Sequence, residues 1–164
     1  MELTFEPFRM EHLKGVRGIY NDYVVNTTVT FDLEAVSAEE MKSNIVNPDP
    51  RFKTFVILDR GELIGYILLT QYKKKRAYDI CAEVTIYLKA ETTGQGIGFR
   101  ALQFIESYAV QNGFQVLIAT ICSENDRSIR LFERNGYEQC AYFRGVGYKF
   151  GRKLDIVCFQ KQLG

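Results

Sequence analysis

An apolar, strand-like run that leads into a glycine-rich turn and a helix most constrains the fold of this chain. Ala82-Glu83-Val84-Thr85-Ile86-Tyr87-Leu88 precedes Thr92-Thr93-Gly94-Gln95-Gly96-Ile97-Gly98-Phe99-Arg100. A helix that begins in such a turn presents unpaired main-chain N–H groups and its positive dipole end to an anion. The glycines also let a ligand approach the backbone closely. The segment therefore predicts an α/β fold with a pyrophosphate site at the turn.

The spacing of the turn excludes two common classes of phosphate site. A Walker A loop requires Gly-Lys-Ser or Gly-Lys-Thr, and no such lysine follows these glycines. A dinucleotide-binding fingerprint requires a third glycine where Phe99 stands, and it normally belongs to the first strand–helix unit. Taken alone, the remaining glycine pattern is a weak signal.

Glu83 is a carboxylate inside an otherwise apolar strand. Burying a carboxylate is costly unless the group is paired or has a chemical role. Desolvation raises the pKa of such a group towards the value that suits a general base near neutral pH. Two interpretations stay open, a base that faces a cleft or a salt bridge at the strand edge.

Length and charge exclude several protein classes. The chain has 164 residues, of which 46% are hydrophobic and 25% charged, so we expect a single folded domain over residues 1–164. The net charge of +1 argues against nucleic acid as a main partner. No apolar run reaches the roughly 20 residues that span a bilayer. The amino terminus lacks a signal-peptide pattern, so we expect a cytoplasmic protein.

The four cysteines, at positions 81, 122, 140 and 158, show no C-x-x-C spacing. This argues against a metal site and against a disulfide framework. We expect buried free thiols that pack as small apolar side chains.

Apolar periodicity predicts seven strands and four helices. A Ser37-Ala38-Glu39-Glu40 capping box marks one helix start, and Gly113 is expected to end the helix that follows the glycine turn. The predicted fold is a mixed, mostly antiparallel sheet of about seven strands flanked by about four helices. The strands are expected at residues 3–9, 52–58, 63–69, 79–88, 116–121, 137–146 and 154–162, and the helices at residues 12–23, from 38 to before 47, 96–112 and 126–133.

Several motifs together resemble the acetyl-CoA site of the GNAT superfamily of N-acetyltransferases. They are the turn of residues 93–98, Asn125-Asp126-Arg127-Ser128-Ile129-Arg130-Leu131 and Asn135-Gly136-Tyr137. Within that superfamily the chain is most similar to the phosphinothricin acetyltransferase group. The marks of that group are Ile19-Tyr20-Asn21, Val29-Thr30-Phe31, Ala77-Tyr78-Asp79, Glu83-Val84-Thr85-Ile86-Tyr87 and Gly147-Tyr148-Lys149-Phe150-Gly151-Arg152 followed by Asp155.

The resemblance implies a GNAT-like fold, a homodimer, and acetyl-CoA as co-substrate without a metal. Glu83 matches the general base of the group, and the backbone of Ile86, Tyr87 and Leu88 matches the strand that holds the pantetheine arm and the thioester carbonyl. The pyrophosphate is expected on the N–H groups of Gly94, Gln95, Gly96, Ile97, Gly98 and Phe99. Asn125 and Ser128 are expected near the cofactor arm, with simple helix capping as the alternative for both.

Two positions depart from the superfamily pattern. Thr93 stands where a longer Gln or Arg is usual, so a side chain that would clamp phosphate is missing. Phe132 replaces the tyrosine that protonates the departing thiolate in many members. Tyr137, Tyr142 or water are the candidate substitutes, and no general acid is assigned.

The residues that match the substrate cleft of the group are Phe31, Lys75, Arg76, Tyr78 and Lys149. Cations there would receive a carboxylate or a phosphinate, although Lys153 stands where the group often has tryptophan. The resemblance implies acetyl transfer to the primary amine of a small amino-acid-like compound of the phosphinothricin or methionine sulfoximine type. The alternatives are another amine, such as a protein N-terminus or a polyamine, and a coenzyme A-binding regulatory module with little catalysis.

Overall fold

In the computed structural model, which describes residues 1–164, seven strands form one sheet. The strands are β1 (Leu3–Pro7), β2 (Thr54–Asp59), β3 (Glu62–Gln71), β4 (Cys81–Leu88), β5 (Val116–Cys122), β6 (Glu138–Lys149) and β7 (Arg152–Gln162). The four α-helices are α1 (Leu13–Asn26), α2 (Ala38–Ile45), α3 (Ile97–Gln111) and α4 (Asp126–Arg134), and three short 3₁₀ turns are also present. These numbers of strands and helices confirm the predicted architecture.

The sheet has the order β1-β2-β3-β4-β5-β7-β6, and only the β4–β5 pair is parallel. That pair is short, because it joins Cys81 to Val116, Ala82 to Leu117 and Glu83 to Ile118 and then ends. β4 continues to Leu88 and β5 to Cys122 without pairing to each other. The two strands therefore separate in the middle of the sheet, immediately beyond Glu83.

Helices cover the two faces of the sheet with separate apolar clusters. On one face, α3 packs Ile97, Leu102 and Ile105 in a cluster that also holds Ala82 and Val84 of β4. On the other face, α1 and α2 pack against β2 and β3, with Tyr87 of β4 at the margin of this second cluster. Successive side chains of a strand point to opposite faces. Glu83 and Thr85 therefore lie on the face that α1 and α2 cover.

Two helix boundaries follow the local sequence signals. The Ser37 hydroxyl accepts a hydrogen bond from the Glu40 N–H at 3.1 Å, and the Glu40 carboxylate accepts one from the Ser37 N–H at 3.2 Å. This confirms the capping box at the start of α2. Gly113 has φ +85° just beyond α3, which confirms the predicted stop.

Two expectations about the last strands and the cysteines were wrong. β6 runs to Lys149, three residues beyond the predicted end, because an irregular pairing between Phe143 and Gly147 removes the alternation that a regular strand shows. Cys81 and Cys122 are buried free thiols, but Cys140 is exposed, because β6 is the last strand of the sheet. None of the helices has the length and apolar character needed to cross a bilayer.

Candidate active site

A cavity of about 500 Å³ opens where β4 and β5 separate. It is bounded by the end of β4, by Thr93 of the glycine turn, by the start of α4 and by the residues that follow α1. A narrow extension of about 50 Å³ continues between the two strands and is lined by Thr85 and Thr120, among others. The cavity thus runs from the glycine turn into the split beside Glu83. Its lining includes the predicted residues Ile86, Tyr87, Leu88, Asn125 and Ser128.

The glycine turn leaves a continuous row of main-chain donors without protein acceptors. Gly94 and Gly96 have φ +80° and +78°, in the left-handed region, and α3 begins at Ile97. The first N–H of this segment that bonds back into the helix is that of Arg100, to the Gly96 carbonyl at 3.3 Å. The preceding N–H groups, from Gly94 to Phe99, donate to no protein atom. Such a row suits a pyrophosphate without a covering side chain.

The start of α4 faces the same cavity. Asn125 is the N-cap of this helix, and its side-chain oxygen accepts a hydrogen bond from the Ser128 N–H at 3.3 Å. The capping role of Asn125 is therefore present. Its amide NH₂ makes no hydrogen bond within the protein, so the same side chain is free to donate to a ligand in the cavity.

Glu83 is half-buried and takes part in no salt bridge. This removes the interpretation of Glu83 as a structural ion-pair partner. Burial raises the pKa of the Glu83 carboxyl above its usual value, and the Thr120 hydroxyl on β5 partly opposes the rise. A carboxylate in this state binds a proton more readily than an exposed one.

A second cavity, of about 370 Å³, lies on the sheet face that carries Glu83. It is lined by Thr85 of β4 and by Thr70 of β3, which is the cross-strand neighbour of Glu83. Tyr20 and Asp32 line it from the helix side, and the Tyr20 hydroxyl donates a hydrogen bond to the Asp32 carboxylate. Asp32 is the only charged residue of the lining. Glu83 is a neighbour of these lining residues and does not itself line the cavity, which has the size to hold a small acceptor.

The structure divides the residues predicted for substrate recognition into two groups. The Lys149 ammonium is buried, with 2% exposure, and donates to the Thr30 carbonyl at 2.8 Å, while the Phe31 ring packs against Gly147. Burial lowers the pKa of Lys149. This first group therefore sits where the loop after α1 contacts β6.

The second group of predicted substrate residues is exposed in the connection before β4 and comprises Lys75, Arg76 and Tyr78. Lys149 lies in the hairpin whose Arg152 binds Glu124, just beyond the end of β5. Because β4 and β5 are parallel, the two groups lie at opposite ends of these strands. A single chain therefore does not bring the two groups of predicted substrate residues together.

Neither tyrosine considered as a general acid lines the cavities described above. Phe132 is buried and stacks edge-to-face on Tyr137, with 4.9 Å between ring centroids. Burial strongly raises the pKa of Tyr137, whose ring lies beside Lys161. Tyr142 is exposed and donates to Asp155 at 2.7 Å. The tyrosines that do line the main cavity are Tyr23 and Tyr87.

Several cavity residues were missed from the sequence. Tyr23, at the end of α1, lines the main cavity and donates to the Leu88 carbonyl, 65 residues away in the chain. No local pattern predicts such a contact. Arg127 and Arg130 also line the cavity, although they lie inside a motif in which only Asn125 and Ser128 were assigned. The sequence feature that could have indicated these two arginines is the absence of a long side chain at Thr93.

Comparisons with known proteins agree with this geometry. Residues 8–158 match the family model of the acetyltransferase (GNAT) domain. The chain is 30% identical to the phosphinothricin N-acetyltransferase of Streptomyces coelicolor, over 99% of this chain and 97% of that protein. It is 31% identical to the L-methionine sulfoximine/L-methionine sulfone acetyltransferase of Pseudomonas paraeruginosa, over 92% and 89%. The crystal structure of a GNAT superfamily phosphinothricin acetyltransferase from Sinorhizobium meliloti in complex with acetyl-CoA is similar at a TM-score of 0.93. That protein is 30% identical, over 100% of this chain and 90% of that one.

Proposed function

This chain belongs to the GNAT family of acetyltransferases, and we propose that it acetylates the primary amine of a small amino-acid-like compound of the phosphinothricin or methionine sulfoximine type. It is an acetyl-CoA-dependent N-acetyltransferase. One observation carries the finer proposal. Glu83 has a raised pKa and no salt bridge, and residues next to it line both spaces, with Thr85 in the split and Thr70 in the second cavity.

The residues of the main cavity have the chemistry that acetyl-CoA requires. The free N–H groups of residues 94–99 bind the pyrophosphate, and the main chain of Ile86 to Leu88 with Asn125 and Ser128 orients the pantetheine arm. Acetyl-CoA supplies an activated acetyl thioester. Main-chain N–H groups of β4 polarise the thioester carbonyl and stabilise the negative charge that develops on its oxygen.

Glu83 acts on the acceptor. An ammonium group has no free electron pair and must lose a proton before it attacks a thioester. The Glu83 carboxylate takes that proton, directly or through one water, and its raised pKa makes the transfer easier near neutral pH. The neutral amine then forms the new C–N bond as the C–S bond breaks, and coenzyme A leaves as the thiol after protonation.

A thiol-release assay with acetyl-CoA and a panel of amines tests the proposed substrate. The panel contains phosphinothricin, methionine sulfoximine, methionine sulfone, a peptide with a free N-terminus, and spermidine. We expect the amino-acid analogues to have the highest kcat/KM. If the protein binds acetyl-CoA but no amine of the panel causes thiol release, the result would instead support a regulatory module.

One observation favours a different acceptor. Asp32 is the only charged residue that lines the cavity beside Glu83. Its carboxylate attracts a second cationic group of a substrate and repels a substrate carboxylate. A higher kcat/KM for spermidine, lost in an Asp32→Asn variant, would replace the amino-acid analogue by a polyamine. If phosphinothricin is preferred, its anionic groups must be received by a cation, and Lys149 is the predicted cation whose charge interacts with that of Asp32.

We also propose a homodimer. The last strand, β6, and the turn after it expose a set of large apolar side chains with 47–67% exposure, and exposed apolar side chains on an edge strand favour self-association. We expect light scattering at micromolar concentration to give twice the chain mass of 18.9 kDa. These side chains are Tyr142, Phe143, Val146, Tyr148 and Phe150.

The variants Val146→Asp and Tyr148→Asp test whether β6 forms the dimer interface. Both side chains are exposed in the single chain, so the substitutions should leave the monomer folded and shift the mass to that of one chain. A monomeric wild type contradicts the homodimer, and a dimer that survives both substitutions places the interface elsewhere.

A further inference from the structure

Arg127 connects the start of α4 to the glycine turn. Its guanidinium donates a hydrogen bond to the Thr93 hydroxyl, and both residues line the main cavity. Thr93 stands where the resemblance to the GNAT pattern implies a Gln or Arg that reaches the phosphates. The long cationic side chain that the turn lacks is therefore present at the same place, but it extends from the neighbouring helix.

The charges around Arg127 favour an anionic ligand. Arg127 and Arg130 line the cavity, and neither forms a salt bridge. Of the two cavity carboxylates, Glu124 is already paired with Arg152 by two hydrogen bonds of 2.7 and 2.8 Å, which hold the pKa of Glu124 down to about 2. Asp126 is then the one unpaired carboxylate of the lining, and it opposes two guanidinium groups that form no salt bridge. The cavity thus keeps an excess of positive charge.

The Arg127 charge acts on another residue of the cavity lining. Tyr23 lines the same cavity, and the Arg127 cation partly opposes the rise that burial causes in the Tyr23 pKa. The guanidinium is therefore close to the cavity interior as well as to Thr93. The row of free N–H groups begins at Gly94, next to the Thr93 hydroxyl that Arg127 contacts.

We propose that Arg127 clamps the pyrophosphate of acetyl-CoA and thereby replaces the side chain that Thr93 lacks. The planar guanidinium presents several donors at fixed angles, which suits the oxygens of a phosphate. When the pyrophosphate binds, the Arg127 N–H that donates to the Thr93 hydroxyl donates to a phosphate oxygen instead. This inference rests on the proposed acetyl-CoA site and adds a residue to it.

Calorimetry with Arg127→Ala tests the clamp. Loss of one or two charge-assisted hydrogen bonds should weaken acetyl-CoA binding by about 10- to 100-fold. Dephospho-CoA, which keeps the pyrophosphate but lacks the 3′-phosphate, should lose the same factor. Acetyl-pantetheine carries no pyrophosphate, so its kcat/KM should be unchanged in the variant. Arg134→Ala, an exposed arginine of the same helix that does not line the cavity, should bind acetyl-CoA as the wild type does.

Thr93→Arg in the Arg127→Ala background is the rescue variant. It moves the cation back to the turn and should recover most of the lost acetyl-CoA affinity. Wild-type affinity in Arg127→Ala contradicts the clamp, and so does an equal loss with acetyl-pantetheine, which would indicate damage to the turn. A loss with acetyl-CoA but not with dephospho-CoA would assign Arg127 to the 3′-phosphate and also overturn the proposal. Failure of the wild type to bind acetyl-CoA would instead remove the site itself.

Discussion

Glu83→Gln is expected to lower turnover at neutral pH by roughly 10²–10⁴-fold, the usual contribution of a positioned acid or base, while acetyl-CoA binding is preserved. Glutamine has nearly the shape of glutamate but cannot take a proton from the acceptor ammonium. The main-chain donors of residues 94–99, which are proposed to bind the pyrophosphate, are not altered by the substitution. Steady-state kinetics together with calorimetry separates the two effects.

The pH dependence provides a second measure of the same role. Burial raises the Glu83 pKa above 4.5, so the base becomes active only above that shifted value, and kcat/KM should rise with pH through it. In Glu83→Gln this acid limb should disappear. The remaining rate should increase at high pH, where more of the acceptor amine is already neutral.

Thr120→Val is the companion variant. The Thr120 hydroxyl stabilises the ionised form of Glu83, so its removal should raise the Glu83 pKa further and move the acid limb to higher pH. The maximal rate at alkaline pH should change little. An unshifted limb would show that another group titrates in the pH profile.

The thermal stability of Glu83→Gln distinguishes a base from a structural residue. Glu83 forms no salt bridge, so the substitution breaks no ion pair, and removing a half-buried charge carries no stability penalty. The melting temperature should be equal to that of the wild type or slightly higher. Unfolding of the variant, or an unchanged rate at neutral pH, would mean that the base lies elsewhere.

Local signals made much of the fold predictable. The strand that contains Glu83, the turn at Gly96, the capping box at Ser37 and the stop at Gly113 each depend on residues that lie next to one another in the chain. Hydrophobic periodicity and turn chemistry are sufficient for such features. The end of β6 was missed because its irregular pairing breaks the two-residue alternation.

The parts of the site that depend on tertiary contacts were not predictable. Nothing in the sequence of β4 or β5 indicates that their pairing stops after Glu83 and Ile118, yet this separation creates the cavity. Tyr23 and Asp32 reach the two cavities from segments far away in the chain. The position of Arg127 follows from how α4 packs beside the turn. From the sequence alone, Thr93 therefore indicates only a missing phosphate-binding side chain, whereas the structure places the Arg127 cation beside it.

Gly96→Val is expected to weaken acetyl-CoA binding by roughly 100-fold or more, equivalent to the loss of two charge-assisted hydrogen bonds. Gly96 has φ +78°, and a β-branched residue in this left-handed region is strained by about 1–3 kcal/mol. Relief of that strain would reorient the adjacent N–H groups. A side chain at Gly96 would meet no protein atom within 4 Å, so it would occupy open space at the turn where the pyrophosphate is proposed to lie.

Gly113→Val is the matched control, because it separates strain from ligand contact. Gly113 has φ +85°, has equally open space around it, and lies at the opposite end of the same helix α3. Both valine variants should therefore lose a similar amount of thermal stability. Only Gly96→Val should lose acetyl-CoA affinity when calorimetry is performed well below both melting temperatures. Equal affinities in the two folded variants would show that the pyrophosphate does not bind at this turn, and the row of free donors at the start of α3 would need another ligand.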